Sequence, residues 1–214
     1  MSYRTVLFDL DGTLIDHFKA IHRCHAYAMR RLGLPEPTMQ QVRDAVGGGL
    51  DQAIAKLAGA DKVEALMPLF VEHWDATSLD DVEALPGSLE LLQALRDRGI
   101  TTAVFTNKRG YAARAVCAHL GMSPLLAGVF GVGDTPWLKP DPAFARHALE
   151  QIGGEAASTV LIGDSPFDIA AAHNAGLGFI GVTTGTHSAE ELRAAGAARV
   201  EPNLAGVQAA LGLA

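Results

Sequence analysis

The sequence predicts an α/β chain, a doubly wound and mostly parallel sheet with a small helical segment inserted near its start. Three observations lead there. From Leu85 onward, short apolar or β-branched runs alternate with amphipathic helical stretches, the rhythm of right-handed βαβ units. Residues 17–82 carry helical periodicity with no convincing strand. Polar residues also gather just past the apolar runs, at the edge where parallel sheets bind ligands.

Taken in order, residues 4–10 (RTVLFDL) read as a short buried strand. HFKAIHRCHAYAMRRLG places Phe18, Ile21, Cys24 with His25, Ala28 and Leu32 on one stripe, with Asp16 as the expected N-cap and Gly33 as the expected C-cap. PEPTMQQVRDAVGGG reads as a turn, a helix capped by Thr38, and a glycine break; two more helices are expected around 50–59 and 61–76. PGSLELLQALRDRG is an amphipathic helix and ITTAVFTN a β-branched strand. RGYAARAVCAHLG (helix), GVFGVGD (strand), DPAFARHALEQIG (helix) and STVLIGD (strand) continue the alternation. SPFDIAAAHNAG (helix), LGFIGVTTG (strand) and SAEELRAAGA (helix) complete it. The division that follows is a core of residues 1–15 and 85–214 with a helical cap at 16–84.

Composition narrows the function classes. A chain of 214 residues, 49% hydrophobic and 19% charged, can bury a sizeable core and is not of the disordered type. Its net charge of −7 excludes the broad basic surface of a non-specific nucleic-acid binder. No apolar run approaches the ~18 residues of a membrane span, and the start shows no basic-then-apolar leader. The expectation is a cytoplasmic protein, monomer or homodimer, with neither nucleic acid nor membrane as partner. Cys24 and Cys117 sit in no metal-ligand spacing and read as reduced thiols.

The chemistry lies at the strand ends. Asp9 ends the first strand with Asp11 two residues on, Thr106 and Asn107 end the next, and Asp134 follows the third. Asp164 ends the fourth, with Asp168 one helical turn later, and Thr183 and Thr184 end the fifth. Two carboxylates as close as Asp9 and Asp11 repel one another and need compensation. Several carboxylates without His or Cys in motif spacing point to a hard, oxygen-liganded cation, for which Mg²⁺ fits best. Thr106 and Lys139 add donors suited to phosphate oxygens. An aspartate can serve as nucleophile through an aspartyl-phosphate, and a second as general acid and then base.

In this order, DLDGT, TNK, LKPDP and GDSPFD resemble the haloacid dehalogenase superfamily of phosphohydrolases, over nearly the whole chain. The resemblance implies a Rossmann-like core and Mg²⁺-dependent hydrolysis of a small phosphorylated metabolite. Asp9 would be nucleophile and metal ligand. Asp11 would be the acid/base, its carbonyl reaching the metal. Thr106 would hold the phosphoryl group with the amide of Asn107, and Lys139 would neutralise Asp9 and the phosphate. Asp164 would bind Mg²⁺, and Asp168 would bind it or hold its waters. Family members that cleave carbon–halogen bonds lack the second aspartate, so Asp11 argues for phosphoryl transfer. His17 departs from the small hydroxyl residue frequent at that place, which bears on substrate contacts.

DGTLID, VGGGLDQAIAKL, TNK and KPDP most resemble the phosphoglycolate phosphatase-like group. The alternatives are a pyrophosphatase or nucleotidase of that group, a sugar-phosphate mutase, and a catalytically silent binding or regulatory module. For a carboxylate-bearing substrate, Arg43, the amides of Gly47, Gly48 and Gly49, and Lys56 are the expected cap donors. VGGGL lacks the GxxxxGK[ST] pattern of a phosphate loop. His22 and His25, three apart, lack a third ligand and read as packing or surface residues. Trp74 and Trp137 read as packing residues, with Trp137 close enough in sequence to Lys139 to line a pocket.

Overall fold

The computed structural model describes residues 3–213. The chain forms two compact units, Met1–Ile15 with Ala84–Ala214, and Asp16–Glu83. It passes between them through a short ribbon in which β2 (Ile15–Asp16) pairs with β3 (Glu83–Ala84).

The first unit is a six-stranded sheet flanked by helices. Its strands are β1 (Thr5–Phe8), β4 (Thr101–Arg109), β5 (Gly128–Val132), β6 (Thr159–Gly163), β7 (Gly178–Val182) and β8 (Val200–Glu201), in the order β5-β4-β1-β6-β7-β8. Every pairing in that sheet is parallel. The helices are α5 (Ser88–Asp97), α6 (Gly110–His119), α7 (Pro142–Ile152), α8 (Pro166–Ala175), α9 (Ala189–Ala194) and α10 (Leu204–Ala210). β1 and β6 are buried along their whole length, so they read as continuous apolar runs rather than alternating ones. One core lies beneath Leu7, Phe105 and Leu161, where Phe144, Ala148, Leu149 and Ala171 of α7 and α8 pack. Phe105 and Phe144 meet at 4.5 Å between ring centroids, close to the separation at which aromatic pairs gain beyond simple burial. β8 and α10 lie past the last element expected from the sequence.

β1 sits at the switch point of the winding, between β4 and β6. Its register pairs Phe8 with Val104 on one side and Ile162 on the other. β1 and β6 therefore finish within a residue of one another while β4 runs on past both to Arg109, and all three carboxyl ends point to the same edge, where doubly wound sheets open a ligand crevice.

The second unit comprises α1 (Phe18–Arg31), α2 (Met39–Ala45), α3 (Leu50–Ala58) and α4 (Val63–Thr77). Thr38 caps α2 as expected, its hydroxyl accepting from the Gln41 amide while the Gln41 side chain accepts from Thr38. At α1 the cap position falls on His17, not Asp16. The Asp16 carboxylate instead accepts the Phe18 amide across it at 3.1 Å. His17 is fully buried; its Nε2 donates to the Ser78 carbonyl at 2.7 Å and its ring packs on Trp74. It thereby ties the start of α1 to the end of α4, a packing reason for a residue the sequence left open. His22 donates to the Pro37 carbonyl at 2.8 Å and His25 packs on Phe70, so the two histidines have separate structural surroundings. Cys24 and Cys117 are both buried, and neither is in a disulfide. Among the described residues no helix is long and apolar enough to cross a membrane.

Candidate active site

The shared parallel register of β4, β1 and β6 explains why distant residues converge. Asp9 follows Phe8 and donates its amide to the Ile162 carbonyl at 2.9 Å, extending the ladder by one residue. Thr106 and Asp164 then stand on either side of it, each one residue beyond the level of Asp9. The chain turns sharply after Asp9, and Gly12 takes φ +84° there, a left-handed conformation that favours glycine. A Cβ on Gly12 would come within 2.8 Å of the Asp164 carboxylate, and one on Gly185 within 1.8 Å. The two glycines thus form a cradle that only a side-chain-free backbone permits.

Lys139 is the hub of the cluster. Its Nζ donates to Asp9 Oδ1 at 2.7 Å and to Asp168 Oδ1 at 2.6 Å, and it is buried. The other oxygen of Asp168 accepts from the amide and hydroxyl of Ser165, at 3.1 and 2.6 Å. Both Asp168 oxygens are therefore engaged by protein donors, which fixes Lys139 from behind. Asp164 Oδ2 accepts the Thr186 amide at 3.0 Å, and Oδ1 lies 3.5 Å from the Thr13 hydroxyl. Thr184 does not reach the carboxylates; its hydroxyl donates to the Gly12 carbonyl at 2.7 Å and anchors the turn.

Asp9, Asp164 and Asp168 each offer an oxygen within 4.8 Å of the others, and all three are buried. One ammonium faces three carboxylates, so the charge is not balanced. Burial, opposed by Lys139 and reinforced by Asp168, pushes Asp9 up to about 6. Burial, with Asp9 and Asp168 beside it, holds Asp164 well above the usual carboxylate range. For Lys139 burial works against the charge, but Asp168 and Asp9 outweigh it and hold the ammonium above its ordinary value. An excess of buried, all-oxygen negative charge is what a hard divalent cation relieves, and the donor set fits Mg²⁺.

The other polar strand-end residues divide. Thr106 is buried, and its hydroxyl accepts the Lys108 amide at 3.2 Å. Asn107 does something the sequence did not show. Its side chain accepts the Lys139 amide at 2.7 Å and donates to the Lys139 carbonyl at 3.1 Å, pinning the backbone of the hub. Lys108 was given no role from sequence, yet its Nζ lies 2.9 Å from both Asp11 oxygens. Asp134 stands apart from the carboxylate cluster: it takes the Arg114 guanidinium through both oxygens, at 2.8 and 2.9 Å, and accepts the Gly131 amide. That contact holds its carboxyl below the usual range. Thr183 donates to the Pro202 carbonyl at 3.4 Å, a link at the sheet edge. Trp137 is exposed and faces His147 at 6.3 Å.

In the helical unit, the half-buried Arg43 lays its guanidinium over the Phe18 ring, 4.2 Å from the centroid. Lys56 donates to the Asp44 carbonyl near the end of α2, so its ammonium is engaged in capping that helix. Gly47 and Gly49 take φ +117° and +91°, with the buried Gly48 between them.

Residues 6–182 match the family described as haloacid dehalogenase-like hydrolase. The chain is 32% identical over 208 residues to a phosphoglycolate phosphatase from Rhodospirillum rubrum, covering 92% of this chain and 86% of that protein. It is 33% identical over 196 residues to a 5′-nucleotidase from Pseudomonas aeruginosa, covering 91% of this chain and 89% of that one. In fold it is similar to a haloacid dehalogenase-like hydrolase from Streptococcus pneumoniae, with a TM-score of 0.89 at 22% identity over 97% of this chain and 98% of the other.

Proposed function

Since the chain belongs to the haloacid dehalogenase-like hydrolase family and is a phosphatase of that family, we propose that it hydrolyses a small phosphate monoester through an aspartyl-phosphate on Asp9, with Mg²⁺ as cofactor. The observation that carries the reading is Lys139 clamped between Asp9 and Asp168 with Asp164 beside them.

Lys139 orients Asp9 Oδ1, leaving the carboxylate to attack phosphorus as the ester P–O bond breaks. Asp11 gives its proton to the departing oxygen. It then takes a proton from the water that attacks the same phosphorus, which releases phosphate and restores Asp9. The Thr106 hydroxyl and the Asn107 amide hold the phosphoryl oxygens, while the Asn107 side chain keeps Lys139 in place. Mg²⁺ would be held by Asp9, Asp164 and the Asp11 carbonyl, with Asp168 behind them, and would supply charge neutralisation for the phosphoryl group.

The substrate proposed is 2-phosphoglycolate or a similarly small acidic ester, which the Rhodospirillum relative supports. The partner is thus a small phosphorylated metabolite, handled in the cytoplasm. A 5′-nucleotide is the second reading, favoured by the Pseudomonas relative. The test compares kcat/KM for 2-phosphoglycolate, a nucleoside 5′-monophosphate, pyrophosphate and a hexose phosphate, each with Mg²⁺ and with chelator. Hydrolysis of none of them, with Mg²⁺ present, would refute the proposal; a preference for nucleotide would replace the substrate and leave the chemistry.

A further inference from the structure

Each of the two motif aspartates has its own lysine. Asp9 shares Lys139 with Asp168, whereas Asp11 is bound by Lys108. The second pair is as enclosed as a core contact: the Lys108 and Asp11 side chains are 8% and 10% exposed. From Asp11 and Lys108, we infer that Lys108 is a positioning residue for the acid/base. This rests on the reading of Asp11 as that group.

Three features support it. First, the contact is symmetric. One ammonium lies 2.9 Å from both oxygens, which fixes the carboxylate plane as well as its distance. Second, the backbone departs from regular strand geometry to make it. β4 and β5 pair at Phe105 with Phe130 and next at Arg109 with Val132, four positions along one strand against two along the other. The two extra residues in β4 re-aim the side chains at its end, the use to which bulges beside active sites are put. Thr106 holds that bend by accepting the Lys108 amide at 3.2 Å. Third, stability alone is a poor reason for the pair. Removing two charges from water costs about as much as their attraction returns, so buried ion pairs contribute little to net stability. The buried Cys117 thiol of helix α6 is pushed up to about 12, chiefly by burial, then by Asp11 and against Lys108.

The consequence is a division of labour. Lys139 serves the nucleophile and Lys108 serves the proton carrier, so neither carboxylate can draw the other's ammonium out of place. When a leaving-group oxygen arrives, one Asp11 oxygen keeps Lys108 while the other carries the proton. Loosening that anchor lets the carboxylate shift, and misplacement by about an ångström costs on the order of 10²-fold in rate.

The test measures kcat and KM with Mg²⁺ for 4-nitrophenyl phosphate, whose leaving group needs no proton, and for 2-phosphoglycolate, whose alkoxide does. The variants are Lys108→Met, Lys108→Gln, Lys108→Arg, Asp11→Asn and Asp11→Asn/Lys108→Met. Lys108→Met and Lys108→Gln are expected to lower kcat/KM, which reads the transfer to Asp9, at least tenfold on 2-phosphoglycolate and several-fold less on the aryl ester. Arginine, which can also grip both oxygens, should recover most of the loss. In the Asp11→Asn background the second substitution should cost nothing more. Equal losses of kcat/KM on both esters, losses that multiply in the double variant, or a rise in KM with kcat unchanged would each overturn the inference. If Asp11→Asn alone shows no leaving-group dependence, it is instead the acid/base reading that fails. Should Lys108→Met not fold, the glutamine and arginine variants read the same split.

Discussion

His25 gives the helical unit an acid sensitivity whose size follows from its surroundings. The ring sits on α1 among Met29, Ile54, Leu66 and Phe70, and its buried Nε2 has no hydrogen-bond partner among the described residues. Nothing there solvates a proton, so burial, with a smaller push from His22, lowers the imidazole to about 4. The unfolded chain titrates near 6.5. Above that value both states are neutral and the fold loses nothing. As the pH falls toward 4, the unfolded state binds a proton the folded state refuses, and stability drops. A depression of this size corresponds to about 3 kcal/mol in full, of which about 2 kcal/mol is lost between pH 7.5 and pH 5. His25→Leu removes the titrating group and fills the same apolar space. The assay is urea unfolding at those two pH values, followed by far-ultraviolet circular dichroism and by the fluorescence of buried Trp74 on the same unit. The wild type should lose about 2 kcal/mol more on acidification than the variant. Equal losses would show that His25 is solvated or paired in solution, and the reasoning would fail.

Four further outcomes are expected. Chelation by EDTA should abolish hydrolysis and added Mg²⁺ restore it, and Asp164→Asn should raise the Mg²⁺ needed for half-maximal rate with little change in Tm; full activity in chelator would contradict the metal assignment. Asp11→Asn should cost ~10²–10⁴-fold in kcat/KM on alkyl esters and less on aryl esters, read from a series graded by leaving-group basicity. Lys139→Met leaves three buried carboxylates without their shared cation; kcat should fall to background, and urea unfolding should show a destabilisation of about 3–5 kcal/mol. Arg43→Ala should raise KM for 2-phosphoglycolate about tenfold, the equivalent of one charge-assisted hydrogen bond, and leave 4-nitrophenyl phosphate nearly unaffected; equal KM values on the acidic ester would exclude Arg43 as the carboxylate donor.

How much of this was legible beforehand depends on how local each signal is. The strand at residues 4–10 and the polar residues after it are a short-range pattern, so Asp9 and Asp11 could be placed at a strand end from spacing alone. Asp164 and Asp168, four apart across a strand-to-helix turn, were equally readable. Lys139 was visible only as one lysine before a proline, because the contact that defines it spans 130 positions to Asp9. Lys108 was hidden for a different reason. Its contact with Asp11 spans 97 positions and lies where β4 loses its regular pairing with β5, so strand periodicity does not reveal it. Asp134 misled because a strand-end carboxylate looks the same whether it faces a site or, as here, an arginine one helix away. The cap of α1 was displaced by one residue because buried His17 occupies the position where Asp16 was expected.

The central claim is that phosphorus is transferred to Asp9. The most direct measurement is acid quench during turnover of a ³²P-labelled monoester, followed by tryptic mapping. Cleavage after Arg4 and Lys19 releases residues 5–19 as one peptide. A base-labile label is expected on that peptide in the wild type and none in Asp9→Asn, with the label accumulating in Asp11→Asn when the ester carries an aryl leaving group, for which only the second step needs Asp11. Turnover with no labelled peptide, or a label that persists in Asp9→Asn, would contradict it.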